Sequence, residues 1–463
     1  MARLKQWIEK VEVPSEPGLT TAQLMLTNKD LRPVEPERRE WKWWNFIAFW
    51  IADSLNINTW MISSSMIVDE SSGVTTRDFT SFFLFWLLSL PALWFPIQKV
   101  RHLFTVKSIY SPIAAIAFFA WAISRANGLG PIVHQPHKVH GSVLAWAVIK
   151  AIMSCLGNFA ALIVNDPDFA RFARKPKDAL WAQLFTIPIG FGVTSFIGII
   201  ASSSSSVIYG ETVWNPLDLL GKFLEGASSA ERFGIFVISL GFALAQLGTN
   251  IAANSASAGH DLTALMPRFI TIRRGSYICA AVGLAMCPWN LVSSSNQFTT
   301  YLSAYSIFLS AIAGPMICDY YFVRKGYLQL KDLYSARKDS PYYFTFGFSW
   351  QAYASYLSGI LVNIVGFAGA VGREVPVGAQ YIYNINYFSG FIVSAVMYYI
   401  LTLVVPVPGT SSTWHEVDVD VDNLTVAYGE EVDAYYPYEV PEQVKRDSSG
   451  DQKGAKAGSS AVF

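Results

Sequence analysis

Asp53, Asn56, Asn58 and Thr59 lie within seven residues of one another in an otherwise apolar stretch, Phe46 to Met66. A carboxylate, two amides and a hydroxyl in such surroundings could ligate a cation or hydrogen-bond a polar solute. Polar groups at membrane depth are costly and face a binding site or a water-filled cavity. A helix interrupted there by such residues frees amides and carbonyls for a substrate. The competing reading is a polar stripe bonded to neighbouring helices. A second anomaly is Lys150, inside an apolar segment, with Asn158 two turns on and Asn165-Asp-Pro-Asp-Phe169 closing it. Its partner is a carboxylate, for which Asp53 is the candidate, or else the side chain snorkels to an interface. The third is Ala245 to Gly259, where Thr249, Asn250, Asn254, Ser255 and Ser257 sit among small residues. Helical spacing places Thr249, Asn250 and Ser257 near one face, with Asn254 about a quarter turn away. Amide side chains suit a flat, neutral, amide-like ligand, because each offers donor and acceptor together. Close helix packing through small residues is the alternative.

Other features carry less. Ser202–Ser206 reads as a flexible span end, and His134, His137 and His140 as a solvated loop with no metal. Cys155, Cys279, Cys287 and Cys318 show neither metal nor disulfide spacing and read as packing residues. No phosphate loop, nucleophile elbow or nucleic-acid-binding stripe is present, so the chain reads as no enzyme and as no nucleic-acid binder.

The elements that must position these groups are membrane helices. Only 15% of the 463 residues are charged and 52% are hydrophobic, whereas soluble domains carry about 25% charged residues. About 20 apolar residues cross the hydrocarbon core. Ten such segments are predicted, near 44–67, 79–98, 108–124, 141–164, 181–201, 233–256, 276–293, 299–321, 351–371 and 385–406. Lys and Arg in the loops set orientation. With the N-terminus cytosolic, the inner loops, counting Lys99, Arg101 and Lys107 among them, hold fifteen, and the outer loops six. Both termini are therefore expected in the cytosol. Residues 1–43 form a cytosolic arm, 44–406 the transmembrane domain, and 407–463 a cytosolic, largely disordered tail.

Four runs carry a family resemblance: Asn28-Lys-Asp-Leu31 with Pro36-Glu-Arg-Arg39; Trp50-Ile-Ala-Asp-Ser-Leu-Asn-Ile-Asn-Thr-Trp60; Val164-Asn-Asp-Pro-Asp-Phe-Ala-Arg-Phe172; and Thr249-Asn-Ile-Ala-Ala-Asn-Ser255. Over residues 28–406 the chain resembles the fungal uracil/allantoin permeases of the nucleobase-cation symport-1 family. The resemblance implies an all-α, polytopic membrane protein with a five-plus-five inverted repeat (LeuT-like), alternating access, and symport of a nucleobase or related heterocycle with a cation, usually a proton. By motif, Asn254 resembles the amide that bonds the substrate ring, and Phe159 the stacking aromatic with Asn158 beside it. Asn56 and Asn58 join them as substrate-binding candidates. Ala245, Gly248 and Thr249 resemble the part of a sodium site found in sodium-driven relatives. A glycine in place of a hydroxyl there weakens sodium ligation and favours proton coupling, with Asp53 as the candidate proton carrier.

The departure from the family is specific. After Met66-Ile-Val-Asp69 the second and third helices are expected, yet Glu70 to Arg77 leads into what resembles the fourth. The third helix normally supplies a stacking tryptophan and a bonding glutamine. Losing two helices keeps every later loop on its side but leaves the first repeat incomplete, with ten helices instead of twelve. Two readings follow: a working permease in the plasma membrane, or a truncated product that inserts without a complete substrate site. No cofactor beyond the coupling proton is expected. Expected partners are the heterocyclic substrate, membrane lipids and, through tail lysines Lys445, Lys453 and Lys456, the ubiquitin machinery.

Overall fold

The computed structural model describes residues 12–13, 20–28, 30–31, 34, 38–57, 59–61, 76–95, 97–134, 140–286 and 295–414. Asn58, His137, Cys287, the Asp69–Glu70 junction and the tail beyond residue 414 lie outside these. Among the described residues the elements are helical: α1 (Thr21–Thr27), α2 (Trp43–Ser54), α3 (Thr76–Ser89), α4 (Ile97–Ala126), α5 (Gly141–Asn165), α6 (Pro167–Ala170), α7 (Pro176–Tyr209), α8 (Pro216–Phe223), α9 (Ser229–Thr249), α10 (Ser257–Leu265), α11 (Ile272–Ala285), α12 (Ser295–Cys318), α13 (Leu330–Leu333), α14 (Trp350–Ala370), α15 (Val377–Tyr383) and α16 (Asn386–Val404). Seven continuous helical stretches there are long and apolar enough to cross a membrane, and Thr80–Trp94 is a shorter apolar one.

Sequence chemistry explains the ends and breaks. The α2 helix stops because Leu55 leaves helical backbone angles, and Asn56 closes the gap. Its amide donates to Asp53 O, and its Oδ1 accepts from Thr59 N at 2.8 Å, the geometry of an N-cap for a new helical turn. Pro91 tightens the end of α3 into a 3₁₀ turn over Leu90–Trp94. Between α9 and α10, Asn250–Ala256 is π-helical.

Two packed groups result. In one, α2 lies against α4, α7 and α9, and α4 against α7 and α9; in the other, α12, α14 and α16 pack together with α5 alongside α12. Small residues permit the closest crossings. Gly190 of α7 leaves room for Ser54 of α2, and Gly275 of α11 sits on Gly259 of α10, where an added Cβ would meet backbone at 2.9 Å.

Both flanks of the helical region are tied to it. Asn28 Oδ1 accepts from the backbone of Asp30 and Leu31, both at 2.9 Å. Asp30 then accepts from Ile272 N at 3.3 Å. Trp41, fully buried, pairs its backbone with Phe172 and Arg174. Two of the resembling runs thus share one end of the bundle. At the other flank Arg324, 1% exposed, pairs with Asp319 at 2.7 Å and donates to the carbonyls of Pro408 and Gly409 at 3.1 and 3.0 Å. Trp414 stacks on Tyr321. Residues 407–414, assigned by sequence to the tail, therefore lie against the core. The serine run also departs from expectation. Ser202–Ser205 are buried within α7; Ser202 Oγ donates to Val213 O, and Ser205 Oγ accepts from Val213 N. These bonds pin the following loop, so the segment is an ordered helix end.

Candidate functional site

The break in α2 places Asp53 in a buried position, 4% exposed, with Oδ1 lacking a hydrogen-bond partner among the described residues. The charge that acts on it is Lys107 of α4, which is fully buried. Lys107 Nζ donates to Thr249 Oγ1 at the end of α9. That hydroxyl lies 3.2 Å from Ala245 O and 3.4 Å from Ala52 O. Gly248 makes the approach possible, since a Cβ there would meet Lys107 Cδ at 2.7 Å. Asp53, Ala245, Gly248 and Thr249 are thus brought together.

Lys150 is not part of this assembly. It is exposed on α5, and the cation that acts on Asp53 is Lys107 instead. The sequence reading placed Lys107 in a loop because Lys99 and Arg101 precede it. In the structure α4 begins at Ile97, which puts Lys107 about three turns inside the helix. A signal was present. Val100, Phe104, Lys107, Ser111, Ala114 and Phe118 are all buried, a stripe at i, i+4, i+7, i+11, i+14 and i+18. Extending the apolar periodicity upstream from Phe118 would have drawn the lysine into the core face.

The substrate-binding candidates divide. Phe159 of α5 tilts against Trp50 of α2, with centroids 5.4 Å apart, and meets Phe191 of α7 edge-on at 5.4 Å. It packs on the apolar cluster that contains Trp50 and, from the π-helical turn, Ile251, Ala252 and Ala256. Asn158 beside it is half-buried and bonded to neighbours. Asn254 is exposed, and its amide donates to Asn250 Oδ1 at 3.0 Å. Asn250 and Asn254 are four residues apart and share a face, as i and i+4 positions do in a helix. Ser257 is buried with its hydroxyl on Ala252 O. Asn56 serves the break itself. Both ends of its amide are engaged by the α2 break, and the side chain borders a cavity of about 10 Å³ with Trp60, Ser111, Thr194 and Phe242. That volume holds about one water and no heterocycle. Trp50, which the sequence analysis names only within a resembling run, is the aromatic of α2 that meets Phe159.

A separate polar group closes the end of α5. Asp166 accepts from Gln183 at 2.8 Å, and burial pushes its carboxyl up to about 6. Asp168 lies 3.9 Å from His260; burial raises its pKa, and the imidazole opposes that rise.

A family model for permeases of cytosine/purines, uracil, thiamine and allantoin matches residues 33–69 and 64–390. The two matches meet where the second and third helices were expected. A permease of Schizosaccharomyces pombe, itself uncharacterized, is 39% identical over 529 aligned positions, covering 94% of this chain and 90% of its own. That alignment is longer than the 463-residue chain, so the relative carries segments without a counterpart here. The allantoin permease of Saccharomyces cerevisiae is 39% identical, covering 86% of this chain and 78% of its own, and the uracil permease of the same yeast is 37% identical, covering 85% and 78%. Among solved structures, Mhp1, a nucleobase-cation-symport-1 family transporter with bromovinylhydantoin bound, superposes with a TM-score of 0.59 at 19% identity, over 84% of this chain and 98% of its own. The all-α inverted-repeat transporter fold follows from that likeness, and the number of helices fits an incomplete first repeat. The chain is an integral membrane protein and belongs to the family of permeases for cytosine/purines, uracil, thiamine and allantoin.

Proposed function

We propose that this permease imports a flat heterocycle of the uracil or allantoin class across the plasma membrane together with a proton, both termini facing the cytosol. The observation that supports this best is the pairing of Asn250 and Asn254 on a π-helical turn whose apolar side packs in one cluster with Phe159 and Trp50. Aromatic faces suit a planar ring, and an amide can match the donor–acceptor edge of a uracil or hydantoin-like group. π-turns frequently mark functional sites. In this reading Asp53, held at the α2 break, carries the coupling proton.

The test is uptake of radiolabelled uracil and allantoin by a yeast strain lacking its own permeases. Saturable uptake that collapses with a protonophore supports the proposal. Correct membrane insertion without uptake assigns the chain to the truncated, non-transporting alternative. Lys445, Lys453 and Lys456 serve in this reading as ubiquitin acceptors for endocytic turnover; unchanged turnover after replacing all three with arginine rejects that part.

A further inference from the structure

A basic groove lies at the end of the bundle where the chain enters α2. Trp41 N donates to Phe172 O at 3.0 Å and Trp41 O accepts from Arg174 N at 2.8 Å. Its buried ring packs among Phe46, Phe49, Phe169 and Phe172. That lock sets the residues opening α2 beside those opening α7, so the groove is preformed. It encloses about 280 Å³ and is lined by Lys42, Trp43, Trp44, Arg174, Lys175 and Asp178. Three cationic side chains thus border it against one carboxylate. Arg174 and Lys175 are exposed, and no salt bridge among the described residues takes up any of the three cations. Trp43 and Trp44 are exposed too, with ring centroids 5.8 Å apart, and Lys42 Nζ stands 4.7 Å from the centroid of Trp44. Tryptophans at the end of a membrane helix sit at headgroup level. The unpaired cations therefore meet lipid phosphates at that depth.

We infer that the groove at Lys42, Arg174 and Lys175 is a site for the headgroup of an anionic glycerophospholipid, which ties the start of α2 to the start of α7. A guanidinium grips a phosphate through two parallel bonds, and the two ammonium groups add compact charge. Trp43 and Trp44 supply apolar faces for the glycerol and upper acyl chain, which a free anion lacks. Basic pockets between membrane helices on the cytoplasmic side bind headgroups of this kind. The orientation proposed above makes the leaflet the cytoplasmic one. Binding itself needs neither that orientation nor transport, so failure of the proposed function and failure of this inference are separable.

The experiment is thermal unfolding of the purified full chain in detergent, with dioctanoyl phosphatidylserine, dioctanoyl phosphatidylcholine or inorganic phosphate added at equal concentration. Phosphatidylserine is expected to raise the melting temperature by about 3 °C, and the other two by less than about 1 °C. The triple variant Lys42→Gln, Arg174→Gln, Lys175→Gln is expected to lose that rise. If it does not fold, Lys175→Glu alone, at an exposed position, is expected to cut the rise by half or more. No rise with phosphatidylserine, or an equal rise with phosphatidylcholine, overturns the inference. An equal rise with inorganic phosphate overturns the lipid as its source. A rise that survives the triple variant or Lys175→Glu unchanged places the lipid elsewhere and overturns the site.

Discussion

The α2–α4–α9 junction and the α12–α14–α16 bundle both bury polar side chains in apolar helices, but they treat them differently. In the bundle the central described side chains supply one another's partners. Asn363 donates to Asn386 O and Gly359 O at 3.2 and 3.3 Å, Ser389 donates to Asn363 Oδ1 at 2.8 Å, and Ser306 donates to Asn386 Oδ1 at 3.1 Å. At the junction Asp53 and Lys107 are both buried and act on each other electrostatically, while Asp53 Oδ1 and Ser111 Oγ have no hydrogen-bond partner among the described residues. A saturated network fixes one arrangement of helices. An unsaturated charged one keeps alternatives within reach, which is what alternating access needs. Burial of polar residues alone does not mark a site; a buried charge with unmet bonding capacity is the feature that sets the junction apart.

The largest expected effect separates charge pairing from function. Asp53→Asn leaves Lys107 buried and unpaired, and should cost about 3–5 kcal/mol of stability and abolish uptake. Adding Lys107→Met should return most of the melting temperature but none of the uptake; recovery of both would make the pair structural, like the bundle. Next, Asn363→Leu removes two donated bonds and one accepted bond, and should cost about 2–3 kcal/mol. The yield of folded protein should fall, with uptake per folded molecule unchanged; a raised KM for uracil would place Asn363 in the site. Asn254→Ala should do the reverse, weakening uracil or allantoin affinity about tenfold without moving the melting temperature. Equal affinity in variant and native protein would remove Asn254 from the substrate.

The smallest effect concerns pH. Asp166 is raised by burial from 3.8 to about 6. Between those values the folded chain holds a proton that the unfolded chain has released. Its contribution is therefore complete below 3.8 and is lost as pH rises through about 6, by roughly 1–2 kcal/mol. Asp166→Asn should flatten that part of the melting-temperature profile. A profile of unchanged slope would mean that another group carries it.

Much of this was legible in the sequence, for identifiable reasons. Asp53 and Asn254 stood out because hydrocarbon tolerates few such residues, and the α2 break followed from the clustering of Asp53, Asn56, Asn58 and Thr59. Lys107 did not stand out because Lys99 and Arg101 made its surroundings look like a loop, although the helix continues through them. The role of Asn56 depended on which way its amide turned, which composition cannot show. The π-turn over Asn250–Ala256 leaves no trace in hydrophobic periodicity over seven residues. Ser202–Ser206 reads by composition as a flexible span end, and only the loop folded back onto it reveals an ordered helix end.

The guanidinium of Arg324 fixes where this protein can be shortened. A chain cut after Val407 would strip that buried group of two acceptors and should misfold, whereas one cut after Trp414 keeps the clamp whole. Reporter fusions and tail exchanges therefore belong downstream of Trp414, where they load only the clamp and leave the transmembrane helices undisturbed.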